Sequence, residues 1–271
     1  LNISQSALTI QIQQLETHLR TQLFDRNRRS VNLTPQGQEL FSRIERLVVE
    51  IEDLVTYARD ANDPDRGTVT VAALPSVAAG LLPRAIHRLN REYPRITVRI
   101  RDTVAARLTY LIRNGEVDFG VGSPVKRDQE LVWEKLMTDR FCAFVAPDYP
   151  WTTRDSVTLR ELAGPPLILP VRESSIRMHI EAAADKHRIS LPAAYEAVYN
   201  STIMAMAAQG LGVAVLSELV VRSGDANRLR RISIEDPPLY RFIGILRRSG
   251  RSLSRPAELL IDALRAVAGG D

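Results

Sequence analysis

The 271-residue sequence contains one cysteine, Cys142, so no internal disulfide can brace it, and such sparing use fits a reducing compartment. Aromatic residues make up only 6% of the chain, and the longest near-apolar stretch, Met204 to Leu216, is interrupted by Gln209. That stretch is too short to cross a bilayer, so no membrane association is expected. No positively charged start followed by an apolar run is present, which leaves no secretion signal to read and points to the cytoplasm. The four histidines, His18, His87, His179 and His187, include no i,i+4 pair, and a lone thiol cannot form a cluster. No metal and no other cofactor is therefore expected. A Gly-x-Ser-x-Gly elbow, a Walker loop and a complete Gly-x-Gly-x-x-Gly are all missing; Gly210-Leu211-Gly212 reads as a tight helix-to-strand turn. With no catalytic constellation, the chain is not expected to be an enzyme. Cys142 itself lies in the apolar run Phe141-Cys142-Ala143-Phe144, the setting of a packing residue and not of a reactive thiolate.

What is present is an ordinary globular composition, 45% apolar and 25% charged, in a chain long enough for about two domains. The formal net charge of +4 hints at an anionic partner, but its placement weakens the hint. Residues 1–60 carry a net −1, so the basic excess lies in the remainder. Only Lys126, Lys135 and Lys186 among the 36 basic residues are lysine. That skew has two readings, GC-rich coding or anion recognition by arginine.

Ser4 is a good N-cap for a helix over Gln5 to Leu19, with Ala7, Leu8, Ile12, Leu15 and Leu19 forming one stripe expected to be buried. The other face, Gln5, Ser6, Thr9, Gln13 and Gln14, is short, polar and uncharged. It suits hydrogen bonds to bases and phosphates in a major groove, and equally a solvated surface. Leu23-Phe24, the arginine-dense turn Asp25-Arg26-Asn27-Arg28-Arg29-Ser30 and Val31-Asn32-Leu33 then read as a hairpin, or wing, whose tip carries cations to phosphates. Thr34-Pro35 gives an N-cap and a proline at the first helical position.

These blocks, Asn2-Ile3-Ser4-Gln5-Ser6-Ala7-Leu8, Ile12-Gln13-Gln14-Leu15-Glu16, Leu23-Phe24-Asp25-Arg26 and Leu33-Thr34-Pro35-Gln36-Gly37, resemble the winged helix-turn-helix of LysR-type transcriptional regulators. The resemblance implies double-stranded promoter or operator DNA as a partner, with Ser4, Gln5, Ser6, Thr9, Gln13, Arg26, Arg28 and Arg29 at the interface. It also admits RNA polymerase as a further partner. Compared with that family, the helix upstream of Asn2 is expected to lie before this sequence, which opens without an initiator Met. Ile10 stands where the family usually has a polar or basic residue; either a contact is missing or an apolar one to a thymine methyl replaces it.

From Pro35 to Asp60 no breaker follows Gly37, and Leu40, Ile44, Leu47, Ile51, Leu54 and Ala58 recur at spacings of 4, 3, 4, 3 and 4. This is an a/d seam, widened by Phe41, Val48 and Val55. It could pack on the chain's own body or on a second copy; the resemblance implies the latter, as homodimer or homotetramer, which suits two-fold DNA sites. Ala61 to Gly67 holds proline, glycine and turn formers and reads as a linker.

Beyond it, strands and helices alternate: strand Thr68–Leu74, helix Val77–Glu92, strand Ile96–Ile100, helix Ala105–Asn114 and strand Val117–Gly122. A second set follows, with strands Phe141–Ala146, Leu167–Leu169, Ala194–Val198 and Gly212–Leu216, and helices Ser175–His187 and Ser201–Gln209. Strand Phe242–Leu246 and helix Pro256–Val267 are expected to return to the first set. The pattern predicts an α/β fold in two lobes, 67–139 with 240–271 and 140–239, behind a partial winged head at 1–34 and a helix at 35–60. The runs Ser76 to Pro83, Gly115 to Gly122 and Ala207 to Ala214 resemble the effector-binding domain of the same regulators, which implies the type II periplasmic-binding-protein fold and ligand-responsive transcription control.

Ligands of open α/β sheets bind beyond the carboxyl ends of the strands. Four such ends carry hydroxyls or an arginine: Ser76 with the Val77 and Ala78 amides, Ser123, the segment Arg172, Glu173, Ser174 and Ser175, and Asn200, Ser201 and Thr202. Each Ser or Thr alone could be a simple helix cap. Together they form the expected effector site, and helix N-termini there favour a small organic anion such as a carboxylate. A transport solute-binding protein would use the same bilobed fold, but it would need export and would not need residues 1–60.

Overall fold

A computed structural model describes residues 4–27, 30–60, 65–123, 129–221 and 229–269. The chain divides into two units, Leu1–Asn62 and Asp63–Asp271. In the first, Ser4 starts helix α1 (Gln5–Leu19) by accepting the Ala7 amide at 3.3 Å, and Arg20 ends it in the left-handed region. Strands β1 (Phe24–Asn27) and β2 (Ser30–Leu33) pair antiparallel with Phe24 opposite Leu33. Helix α2 (Pro35–Asp60) begins at a built cap: the Thr34 hydroxyl donates to the Gln22 carbonyl at 2.8 Å and accepts the Gly37 amide at 3.0 Å. A side chain at Gly37 would run into the Leu23 carbonyl oxygen, so this close crossing of hairpin and helix requires glycine.

One expectation for this unit fails. Leu8, Leu15 and Leu19 are 47%, 42% and 44% exposed, so the α1 stripe is not buried. An apolar stripe is covered only where another element faces it, and Leu23 is the only buried apolar side chain among the described residues of this unit.

The second unit opens with β3 (Arg66–Ala73), α3 (Pro75–Gly80), α4 (Leu82–Glu92), β4 (Arg95–Asp102), α5 (Ala105–Arg113) and β5 (Phe119–Gly122). Then come β6 (Leu131–Val145), β7 (Ser156–Thr158), β8 (Leu167–Pro170), α6 (Ser175–Lys186), β9 (Ala193–Ala197) and α7 (Asn200–Ala208). The chain closes with β10 (Val213–Ser217), α8 (Glu218–Val221), β11 (Arg230–Glu235), β12 (Tyr240–Arg248) and α9 (Arg255–Ala268). Strand order is β4-β3-β5-β12-β6 in one lobe and β6-β10-β8-β9 in the other, with β11 on β6 and β7 on β11. Each lobe has its own core: Val71, Leu108, Phe119, Ile243 and Leu260 in the first, and Phe144, Ile168, Ile203 and Val215 in the second. Leu167 to Leu169 are wholly buried, as expected of a parallel strand covered on both faces.

Strand β6 belongs to both lobes. Residues 131–140 pair with β12, while Phe141 to Val145 pair with β10 and β11. The sequence pattern predicts this strand only from Phe141, and β12 only from Phe242, because both missed stretches mix charged with apolar residues; of their charged positions only Asp139 and Arg241 are buried. The short strands β7 and β11 also go unpredicted. The expected helix Val77–Glu92 is two helices, since Pro83 has no amide hydrogen and starts a new helix in its first turn. Gly80, at the end of α3, packs against the Leu219 carbonyl of α8 where no side chain would fit. Gly210-Leu211-Gly212 forms the turn from α7 to β10. Among the described residues, no helix is long and apolar enough to cross a membrane.

Candidate functional site

On the first unit, Ser4, Ser6 and Gln13 are exposed on α1, with the Ser4 and Ser6 hydroxyls 3.1 Å apart. Thr9 is half-buried, and Gln5 opens the helix. The wing is fastened to this helix by Glu16, whose Oε1 accepts the Leu23 and Phe24 amides at 2.8 and 3.1 Å. Arg26 lies in β1; Arg28 and Arg29 lie outside the described residues. Along α2, Ile44, Leu47 and Ile51 are 41%, 56% and 60% exposed, and Phe41 and Val48 flank them in the open; Leu40 is half-buried and Leu54 follows in the same helix.

On the second unit the polar centre is a residue absent from the sequence-based site. Arg241, 2% exposed, stands on β12 directly opposite Asp139 of β6, also 2% exposed. Its Nε donates to Asp139 Oδ2 at 2.8 Å, and Nη2 reaches the same carboxylate at 2.8 Å. Nη2 also donates to the Ser76 hydroxyl at 2.5 Å, and Nη1 to the Ser175 hydroxyl at 2.6 Å. Ser217, at the end of β10, donates to the Asp139 carboxylate at 2.7 Å. One guanidinium thus joins Ser76 on α3 of the first lobe to Ser175 at the start of α6 in the second. Burial pushes the Arg241 pKa down, opposed by the charge and hydrogen bonds of Asp139.

His179, one turn along α6, completes the surroundings. Its Nδ1 lies 2.7 Å from the Ser175 carbonyl, and its ring meets Phe141 edge-on with centroids 6.1 Å apart. Burial lowers the imidazole pKa most, with a further push down from Arg241; the Ser175 carbonyl and Asp139 pull the other way. The unfolded chain therefore binds this proton more readily than the folded one. Stability from this source is full above the ordinary histidine pKa of about 6.5 and falls as pH drops through it. The melting temperature of the wild type is expected to fall between about pH 7.5 and about pH 5.5, and His179→Gln to flatten part of that fall. An unchanged slope in the variant contradicts the assignment.

The remaining expected site residues divide by position. Ser123 is buried at the end of β5, beside β12, where Gly244 is paired with Gly122. Ser174 is the N-cap of α6, its oxygen accepting the Ile176 amide at 3.3 Å, so it serves the helix while Ser175 serves Arg241. The Val77 and Ala78 amides are not free for a ligand, since both donate to the Leu74 carbonyl, at 2.8 and 2.9 Å. Arg172 is exposed and lies 3.9 Å from Glu181. Asn200 is half-buried and Ser201 and Thr202 exposed, at the end of the outermost strand β9, with no recorded bond to the Arg241 cluster among the described residues. Arg241, Asp139 and Ser217 are the additions. The strand positions that carry the first two lie just outside the apolar runs that mark strands in the sequence. An open groove of about 710 Å³ lies elsewhere, on α4 and the end of α9, lined by Arg84, His87, Arg88, Arg91 and Glu92 among others. It has none of the strand-end chemistry.

Residues 62–269 match the family described as LysR substrate binding domain, and residues 1–38 match Bacterial regulatory helix-turn-helix protein, lysR family. The chain is 30% identical over 258 residues to the uncharacterized HTH-type transcriptional regulator YybE of Bacillus subtilis, covering 95% of this chain and 88% of that protein. Its fold is similar to that of an H2O2-bound OxyR mutant of Corynebacterium glutamicum, with TM-score 0.66 and 25% identity, covering 98% of this chain and 86% of the other. The regulatory domain of Synechocystis CcmR in complex with 2-PG aligns with TM-score 0.68 and 21% identity over 76% of this chain and 99% of that one.

Proposed function

This chain belongs to the LysR-type transcriptional regulators, and on that premise we propose that a small organic anion bound between its two lobes sets its grip on DNA. It is a regulator with an effector-binding domain, not an enzyme. The observation that carries the effector reading is the Arg241 cluster, which puts a buried cation and a serine from each lobe at one point. A ligand at that point contacts both lobes, so it changes the angle between them. The 2-PG complex of a domain with the same fold supports a small-molecule ligand here. A carboxylate is the class that best fits two hydroxyl donors backed by a guanidinium.

On the DNA side, α1 lies in the major groove with Ser4, Gln5, Ser6, Thr9 and Gln13, while the wing brings Arg26, Arg28 and Arg29 to phosphates. The exposed seam of α2 pairs with a second copy, and two such heads read a two-fold site in the cytoplasm, with RNA polymerase as the downstream partner. The likeness to an H2O2-bound protein does not transfer its chemistry. Cys142 is 4% exposed and burial pushes its thiol pKa up, the reverse of what a peroxide-reactive thiolate needs. The transport-protein alternative leaves the helix-turn-helix match over residues 1–38 without a use.

A gel-shift titration of this chain against its own promoter region tests the reading. Sequence-selective binding that weakens steeply as salt rises is the expected result. Absence of selective binding at every promoter tried contradicts it.

A further inference from the structure

We propose that Ile10 reads a base: its side chain packs on the C5-methyl group of a thymine in the major groove and makes that position of each half-site selective for thymine. The inference rests on the reading of α1 as the DNA helix given above, and names one contact that this helix makes. Ile10 is 54% exposed, more than Leu8, Leu15 or Leu19. At about 100° per residue it stands about 140–180° around the helix from Leu8, Ile12, Leu15 and Leu19, on the side opposite the apolar stripe. An element that covers the stripe therefore leaves Ile10 in the open. Glu16, which fastens the wing to α1, also lies nearer the stripe than Ile10 does.

The neighbours of Ile10 on its own face are Ser6, Gln13, Gln14 and Thr17, all exposed and none charged. The Thr17 hydroxyl donates to the Gln13 carbonyl at 2.7 Å, and the Ser6 hydroxyl oxygen lies 3.1 Å from that of Ser4. A glutamine side chain can pair with the edge of an adenine through two hydrogen bonds. Isoleucine has neither donor nor acceptor. Of the four bases only thymine carries a methyl group into the major groove; the other edges present donors and acceptors. An isoleucine placed over those edges displaces their water and returns no hydrogen bond, a cost that a methyl group does not incur. Isolated apolar side chains are ordinary on protein surfaces. This one stands in the middle of a polar, uncharged helix face, where its one favourable partner on DNA is apolar.

The test uses the full chain and a promoter duplex that it binds selectively, with thymines replaced one at a time by uracil, which pairs alike and lacks only the methyl group. Affinity is read by fluorescence anisotropy for wild type and Ile10→Ala. That change trims an exposed side chain to the best helix former, so the fold is expected to stand, and circular dichroism checks it. Wild type is expected to lose about threefold to fivefold in affinity at one thymine of each half-site, the weight of one buried methyl group. Ile10→Ala is expected to bind the thymine duplex more weakly by the same factor and to show no preference for thymine over uracil at that position. Its salt dependence should match that of the wild type, since no phosphate contact is lost. Ile10→Val, which keeps a branched apolar side chain, should retain part of the preference. Wild type indifferent to uracil at every thymine overturns the inference and leaves the DNA reading of α1 standing. Uracil sensitivity that persists undiminished in Ile10→Ala also overturns it. No selective binding of the wild type to any promoter duplex overturns the inference and the regulator reading together.

Discussion

Arg241→Leu is expected to lose about 3–5 kcal/mol of folding stability, enough to unfold a large share of the chain at ordinary temperature. The loss follows from what is left behind. Asp139 is left at 2% exposure with the Ser217 hydroxyl as its one remaining side-chain donor among the described residues, and Ser76 and Ser175 lose the donor that joins the lobes. Replacing both partners removes the orphaned charge along with the bond. Asp139→Leu with Arg241→Leu is therefore expected to lie within about 1–2 kcal/mol of wild type in urea unfolding. A single variant as stable as the double one would mean that the pair is solvated in the working protein.

The second large effect is expected in α2. Leu47 and Ile51 are 56% and 60% exposed along the seam, so a glutamate at each leaves the isolated unit nearly untouched. In a pair of copies the same change places four carboxylates in the interface, where like charges repel and lose their water. Leu47→Glu with Ile51→Glu is expected to sediment as a monomer. Its affinity for a two-fold operator should fall by about 100-fold or more, because the second head no longer binds as part of the same molecule. A variant that remains dimeric and keeps its operator affinity removes α2 as the dimer helix.

Much of the architecture is legible from periodicity. Both helices of the head begin and end where the caps Ser4 and Thr34 and the spacing of apolar residues put them. The buried strands Leu167 to Leu169 and Val213 to Leu216 announce themselves as apolar runs. The site is legible only in part, and the reason is physical. Ser76 and Ser175 stand at strand-to-helix junctions, where α/β folds present polar groups, and these could be named. Arg241 and Asp139 could not: within Leu136-Met137-Thr138-Asp139-Arg140 and Tyr240-Arg241-Phe242 they are the charges that face inward, while Arg140 next to Asp139 is exposed. A pattern that assigns charge to solvent starts each strand one or more residues late. Their burial depends on β12 returning to β6 across a separation of 102 residues, a pairing invisible to any local window. The α1 stripe fails for the opposite reason: periodicity marks which side chains want cover, and not whether a partner is there.

The most direct test is operator affinity, measured by fluorescence anisotropy with and without whichever small acid binds the chain most tightly. The account predicts that the acid changes the dissociation constant of the wild type by about 5-fold to 150-fold, the range of ordinary allosteric coupling. Ser76→Ala should bind the operator as wild type does without the acid and respond to it several-fold less. An acid that binds the wild type yet leaves its operator affinity unchanged would contradict the claim that this site controls the hold on DNA.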